Sequence, residues 1–112
     1  MTAKAKKFDQ GKVPLNLVPW GPVWEIARVL EFGAGIHGEY NWTEGFTYNR
    51  LFAATMRHLT KWVSGVDLDK ESGLSHLAHA ACNLFFLMAY QAQGRDDLDD
   101  RFKGFEALFK ED

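Results

Sequence analysis

An uncharged stretch from Gly73 to Gly94 restricts the possible folds of this chain more than any other segment. Its apolar residues fall on adjoining faces at helical spacing, which predicts a helix over about 73–93 that is apolar nearly all round. A helix of this kind needs cover on most of its sides, so we expect it at the centre of a bundle. The polar residues His76, His79 and Asn83 interrupt the stretch and argue against a membrane span.

The rest of the chain predicts further helices and no strands. Repeated glycines and prolines near the N-terminus exclude a long helix there. After Pro22, apolar residues at helical spacing predict a helix over 22–36, and another is predicted from about Thr47 to Gly65. The segments expected are an extended arm over 1–21, a helical core over 22–94 and a C-terminal helix over 95–112. Together they predict one all-α, four-helix-bundle-like domain over residues 1–112.

The size and charge of the chain restrict its partners. Four short helices within 112 residues bury little apolar surface, so we expect a homo-oligomer, either a dimer or larger. The formal net charge of −2 argues against a nucleic-acid polymer as partner, because such binders usually carry a strong basic excess. The N-terminal lysines lack the apolar run that follows them in a signal peptide. A single cysteine, Cys82, excludes an intramolecular disulfide, favours a reducing cytoplasm and is expected in the core.

The second predicted helix carries a basic ridge on one side. Its members recur at spacings of three, four or seven residues, and no Asp or Glu lies in the same helix to neutralise them. They are Arg50, Arg57, His58 and Lys61. Arginine offers paired donors to phosphate oxygens, and histidine and lysine add charge, so the ridge suits a phosphate-bearing ligand. A solvated helix surface explains the same pattern equally well.

A narrow polar stripe runs along the uncharged helix. His76, His79 and Asn83 stand at positions i, i+3 and i+7 and therefore share one face. Buried polar groups need partners, because leaving one unpaired costs about 1–3 kcal/mol. Antiparallel packing of the two helices would bring this stripe and the basic ridge together as two walls of a pocket. Simple hydrogen bonding within the core is the alternative interpretation.

An acidic connector joins these two helices. Asp67, Asp69 and Glu71 alternate within it, as in a fragment of a carboxylate cluster for Mg²⁺ or Ca²⁺. A favourable negative charge at the N-terminus of the next helix accounts for Glu71 nearly as well. In the glycine-rich loop that precedes the basic helix, Trp42 is suited to stack on a nucleotide base.

Several short blocks of sequence resemble one known family. They are Lys7-Phe8-Asp9 with Gly11-Lys12, Asn41-Trp42, Arg57-His58-Leu59, and the run from His76 to Leu84. Over about residues 7–90 the chain resembles the phage dATP/dGTP diphosphohydrolase N-terminal family. The resemblance implies a relation to the MazG-like all-α nucleotide pyrophosphohydrolases, oligomers that hydrolyse nucleoside triphosphates to monophosphates with Mg²⁺. It therefore implies a phage enzyme of the host cytoplasm that acts on dATP or dGTP, with Mg²⁺ as cofactor or Mn²⁺ as its alternative.

The enzyme hypothesis gives a role to each residue singled out by the sequence. A metal would be held by Asp69 and Glu71, phosphates by Arg57 and Lys61, and His79 would assist proton transfer. The full set expected is His79 and Glu71 for catalysis, Asp67, Asp69 and Glu71 for the metal, and Lys12, Asn41, Trp42, Arg50, Arg57, His58, Lys61, His76 and Asn83 for the nucleotide.

The chain departs from the MazG-like pattern at the metal. Those enzymes hold Mg²⁺ with a Glu-Glu-x-x-Glu helix followed by a Glu-x-x-Asp helix. The corresponding positions here carry Arg57, His58, Lys61, His76 and His79. A cationic pocket binds phosphates without a metal, so a second hypothesis is a protein that sequesters a nucleotide or cyclic nucleotide unchanged. A third is a structural interaction protein whose aromatic C-terminal segment mediates assembly.

Overall fold

The computed structural model describes residues 4–110, and they form an all-α structure. The three α-helices are α1 at Trp20–His37, α2 at Tyr48–Val63 and α3 at His76–Ala92. Four 3-10 helices lie at Leu15–Leu17, Asn41–Glu44, Asp96–Leu98 and Lys103–Phe109. Within the described residues the only β pairing is an antiparallel bridge between Leu68 and Ser75. The predicted all-α class is confirmed.

The helices α2 and α3 form an antiparallel hairpin. His58 contacts His76 at one end of the pair, and Tyr48 contacts Tyr90 at the other. The helix α1 packs on α3. The uncharged helix therefore lies between the other two, but Leu84 and Met88 on it are exposed, so it lacks the cover on most of its sides that its composition predicts. None of the helices within residues 4–110 is both long enough and apolar enough to cross a membrane.

The connector between α2 and α3 folds back on itself. The Asp69 N–H donates to the Leu74 carbonyl over 2.8 Å, and the His76 N–H donates to the Asp67 carbonyl over 2.9 Å. Gly73 has a φ of +73°, in the left-handed region that glycine adopts without steric cost. This turn brings the side chains of the connector against the first turn of α3.

The same turn determines where α3 begins. Ser75 is the N-cap, and its hydroxyl accepts hydrogen bonds from the N–H groups of Leu77 and Ala78. The helix therefore begins at His76, three residues after the predicted start at Gly73, because the intervening residues close the turn. His76 is the first helical residue and its side chain is buried.

Two apolar clusters hold the helices together. One lies between α1 and α3 and contains Ile26, Val29, Ala78 and Cys82. The other joins α2, α3 and the 3-10 helix after α3, and contains Tyr48, Leu51, Tyr90 and Leu98. The predicted core position of Cys82 is confirmed, because its side chain is 3% exposed. Burial raises the pKa of its thiol to about 11.

The C-terminal segment differs from the predicted α-helix. It forms the 3-10 helices Asp96–Leu98 and Lys103–Phe109, and the aromatic residues of the second are exposed. Gly104 disfavours an α-helix here, and the exposed aromatic side chains gain no packing that would offset it. In the predicted arm, residues 4–14 contain no helix. The outermost parts of both predicted segments, residues 1–3 and 111–112, lie outside the described residues.

Candidate functional site

Three histidines from two helices meet beside the connector. The Nδ1 atoms of His58 on α2 and His76 on α3 are 2.9 Å apart. The rings of His58 and His79 stack, with centroids 4.7 Å apart and planes 8° from parallel. We call these histidines, together with Asp69 and Ser72 of the connector, the histidine cluster. Of the basic ridge and the polar stripe that antiparallel packing is expected to bring together, the three histidines do meet.

Ser72 links the carboxylate of this cluster to one of its imidazoles. Its N–H and its hydroxyl both donate to Oδ2 of Asp69, over 2.9 and 3.0 Å. The Ser72 hydroxyl oxygen is also 2.7 Å from Nε2 of His79. With the hydroxyl proton on Asp69, this oxygen accepts the Nε2–H of His79. Ser72 thus fixes the orientation of Asp69 through one of its two oxygens.

The surroundings of the cluster keep the imidazoles of His58 and His79 neutral and its carboxylate ionised. Burial, with His79 and His76 close by, lowers the pKa of His58 from 6.5 to about 4. Burial is also the main cause that lowers the pKa of His79. For Asp69, burial raises the pKa, but the two hydrogen bonds from Ser72 and the neighbouring histidines outweigh it and lower the pKa. At neutral pH, His58 and His79 therefore offer lone pairs beside a negative Asp69.

A pocket of about 680 Å³ opens beside the histidine cluster. It lies between the C-terminal half of α1, the loop that follows α1, and the α2–α3 hairpin. Small-molecule sites typically measure about 300–1,000 Å³, so the pocket has the size for a nucleotide. Its lining includes Glu31, Glu39 and Glu71, and no Lys or Arg from residues 4–110. Phosphate groups would therefore find no permanent positive charge on its walls.

The structure divides the predicted site residues into two groups. Those that line the pocket are Asn41, Trp42, His58, Glu71, His79 and Asn83. His76 is 2% exposed and, with Asp69, lies in the histidine cluster outside the lining. Lys12 and Asp67 are exposed and do not line the pocket.

The basic ridge of α2 also lies outside the pocket. Arg50, Arg57 and Lys61 are exposed and are absent from the lining. At 3.6 residues per turn, these three side chains project from α2 at angles roughly 60–100° away from that of His58. Of the four residues of the ridge, His58 is the one whose ring contacts the histidines of α3. The Arg50 guanidinium lies over the ring of Phe46 instead, 5.5 Å from its centroid. The expected basic wall of the pocket is thus reduced to His58.

The three acids of the connector do not assemble the oxygen-lined Mg²⁺ site that the family resemblance implies. Among residues 4–110, the one group of three potential ligands is His58, Asp69 and His76, whose ligand atoms lie within 4.8 Å of one another. Asp67 and Glu71 are not part of it. Because Mg²⁺ demands octahedral oxygen coordination, a donor set of two imidazoles and one carboxylate does not fit it.

The opposite end of the α2–α3 hairpin is aromatic. Its five members, which we call the aromatic end, are Trp42, Phe46, Tyr48, Phe86 and Tyr90. Tyr48 and Tyr90 stack with centroids 6.5 Å apart, and Trp42 stacks on Phe86 at 5.5 Å. The Tyr90 hydroxyl donates to the Trp42 carbonyl and accepts the N–H of Phe46 over 3.2 Å. These bonds fix the loop after α1, so that Trp42 and Phe46 line the pocket.

Sequence reasoning missed two contributions to the site. Ser72 carried no helical or metal-ligand spacing, and its role depends on the turn of the connector. The other contribution comes from α1, whose Glu31 and His37 line the pocket. The short spacing from Asp69 to Ser72, directly before a capped helix, is the signal that could have indicated a turn joining them. No signal in the sequence placed α1 over the α2–α3 hairpin.

Comparison with known proteins identifies the family of the chain. Residues 2–101 match the family described as "dATP/dGTP diphosphohydrolase, N-terminal". The chain belongs to this family. It is also 42% identical over 95 residues to a dATP/dGTP diphosphohydrolase of Salmonella phage PMBT28. The alignment covers 85% of this chain but 32% of that relative, so the chain spans about a third of the relative's length. No solved structure matches the chain.

Proposed function

We propose that this chain binds a purine deoxynucleoside triphosphate and takes part in its hydrolysis to a monophosphate and pyrophosphate. The observation that carries the proposal is the pocket of about 680 Å³, lined by aromatic, amide and imidazole side chains, in a chain of this family. Its relative from the Salmonella phage is named for dATP and dGTP. Purine specificity and pyrophosphate as product are thus taken from that name.

The lining suggests how a nucleotide would lie in the pocket. Trp42 and Phe46 offer aromatic surface for a purine, and stacking of one base is worth about 1–3 kcal/mol. Asn41 and Asn83 offer donors and acceptors to the base or sugar. The base then lies toward the aromatic end and the phosphates toward the histidine cluster. His79 and Glu71, which line the same pocket, are the groups we propose for proton transfer.

The charge of the pocket supports a metal-assisted reaction over metal-free binding. A triphosphate carries several negative charges, whereas Glu31, Glu39 and Glu71 of the lining are acidic. We propose Mg²⁺ or Mn²⁺ as the cofactor that enters with the triphosphate, since Mg²⁺ is commonly held by one or two carboxylates and substrate phosphates together. The cytoplasm, which supplies these nucleotides, is the proposed location.

The test is incubation of the purified chain with dATP, dGTP and dCTP, each with Mg²⁺, with Mn²⁺ and with chelator. We expect binding of the two purine nucleotides above dCTP and release of pyrophosphate with dAMP or dGMP. His79→Gln should retain nucleotide binding and lose turnover. Stoichiometric binding with the triphosphate recovered intact under all metal conditions would instead establish the sequestering hypothesis.

We also propose that the chain acts as a homo-oligomer. On α3, the apolar side chains of Leu77, Leu84 and Met88 are exposed, although this is the uncharged helix between the other two. Within residues 4–110 no segment covers this face, and a second copy would bury it. The mass in solution, measured by light scattering, should be that of a dimer or larger. Leu84→Glu should lower it, and a monomeric wild-type chain would refute the proposal.

A further inference from the structure

We propose that His58, His76 and Asp69 bind a divalent transition-metal ion of the Zn²⁺ class, as a resident ion beside the pocket. This inference does not depend on nucleotide hydrolysis, because it concerns a site that exists in the chain alone. It replaces the expectation that the three acids of the connector hold the metal. Its basis is the geometry and the surroundings of the three side chains.

The geometry suits ligands of one ion. Two imidazole nitrogens, each about 2.0–2.1 Å from a metal and about 90–110° apart, are separated by about 2.8–3.4 Å. The Nδ1 atoms of His58 and His76 are 2.9 Å apart. Without a metal, one of these nitrogens must carry a proton toward the other. With a metal, neither Nδ1 carries that proton, and each offers its lone pair to the ion. All three ligand atoms lie within 4.8 Å of one another, so a small side-chain rotation places them around one ion.

The hydrogen bonds within the cluster leave one oxygen of Asp69 free. Both hydrogen bonds from Ser72 fall on Oδ2 of Asp69, which leaves its other carboxylate oxygen for the ion.

The cluster also lacks a counter-charge for Asp69. Its carboxylate side chain is 17% exposed, and the only ion-pair partner found for it among residues 4–110 is His79, at 3.9 Å. No Lys or Arg of the described residues forms an ion pair with Asp69. A partly buried carboxylate without a cation is unfavourable, and a bound divalent ion would stabilise it.

The donor set selects the class of metal. Imidazole nitrogens suit Zn²⁺ and its first-row neighbours, whereas Mg²⁺ and Ca²⁺ prefer oxygen ligands throughout. Two histidines and one carboxylate leave a coordination position open for water or for another ligand. His58 lines the pocket, so that open position is accessible from it. Ser72, which bonds Asp69, and His79, which stacks on His58, act as positioning residues and need not touch the ion.

The experiment uses the full chain without a polyhistidine tag, freed of metal by a chelator and titrated with Zn²⁺ in the absence of nucleotide. We expect one Zn²⁺ per chain and a raised midpoint of thermal unfolding. Asp69→Asn and His58→Gln should each weaken Zn²⁺ binding by about 100-fold or more, given that even indirect supporting residues contribute about 10–100-fold. Asp67→Asn is the matched control, a carboxylate of the same connector outside the cluster, and should bind Zn²⁺ as the wild type does.

Two further measurements keep the proposal testable if a variant is unstable. Circular dichroism of each variant establishes that its helices are formed, and Co²⁺ in place of Zn²⁺ should give visible absorption bands typical of nitrogen-containing coordination. Asp69→Asn should lose those bands. The proposal is overturned if the wild type binds no Zn²⁺ saturably, if folded Asp69→Asn binds as tightly as the wild type, if Asp67→Asn loses as much as Asp69→Asn, or if Mg²⁺ competes on equal terms.

Discussion

The two ends of the α2–α3 hairpin hold the same pair of helices together with different chemistry. At the aromatic end, Tyr90 is fully buried, and its ring and hydroxyl both find partners. At the histidine cluster, the contacts are between imidazoles, a hydroxyl and a carboxylate. Apolar burial stabilises a fold directly, whereas polar contacts mainly recover the hydration that the groups lost on burial. The comparison teaches that the aromatic end contributes most of the stability of the hairpin. The histidine cluster can therefore carry reactive groups.

The largest effect is expected where the aromatic end is broken. Tyr90→Ala removes a fully buried ring stacked on Tyr48 and leaves a cavity, so the free energy of unfolding should fall by about 3–5 kcal/mol. Urea denaturation measures it. Tyr90→Phe is the control that keeps the ring and loses only the hydroxyl bonds, with an expected loss of about 1–2 kcal/mol. Equal losses for the two variants would show that hydrogen bonding, and not packing, holds this end.

A smaller effect is expected at the histidine cluster. Ser72→Ala removes the hydroxyl hydrogen bond to Asp69, the contact with His79 and the acceptor for the Leu74 N–H, so the free energy of unfolding should fall by about 1–2 kcal/mol. The backbone N–H of residue 72 still donates to Asp69, so we expect the pKa of this carboxyl to rise but to remain in the acidic range. Ser64→Ala is the matched control, since its hydroxyl bonds only the Thr60 carbonyl on the exposed surface. A loss as large as that of Tyr90→Ala would contradict the division between the two ends.

Acid should weaken the histidine cluster before the aromatic end. The pKa of His58 is about 4 in the folded chain and 6.5 as its ordinary value, so the unfolded chain takes up this proton first as the pH falls. In metal-free protein the midpoint of thermal unfolding should therefore be unaffected by His58 above about pH 6.5 and should fall between there and pH 4. In His58→Gln the midpoint of thermal unfolding should fall less steeply with decreasing pH. In Tyr90→Phe it should fall with the same slope as in the wild type. Identical slopes for wild type and His58→Gln would refute this account.

The smallest effect is expected at the surface of the aromatic end. The Arg101 guanidinium lies over the ring of Tyr48 at 5.5 Å and pairs with Asp99, but it is exposed. Solvent and salt screen such pairs, so Arg101→Met should change the thermal midpoint by little more than the error of the measurement. A shift that matches Tyr90→Phe would mean that the C-terminal segment contributes to the stability of the hairpin.

The sequence predicted the helices and part of the site, for identifiable reasons. Helical spacing placed His76, His79 and Asn83 on one face, and the short connector implied antiparallel packing that brings His58 to them. The position of Ser72 and the selection of Asp69 over Asp67 depended on the turn of the connector, which no periodicity encodes. The orientation of Arg57 and Lys61 depended on the rotation of α2 about its axis. A rotation of roughly 60–100° moves a side chain from the wall of the pocket to the solvated surface of the helix. Tertiary packing, and not the helical spacing, determines this rotation.

The turn that precedes α3 makes the histidine cluster a composite of both sides of the hairpin. His58 comes from before the turn, His76 from after it and Asp69 from within it. A chain cut after Lys70 would divide these ligands between two fragments, and neither fragment would carry all three. The colour of bound Co²⁺ would then report the association of α2 with α3 directly. The same property makes the cluster an internal probe for the order in which the chain folds.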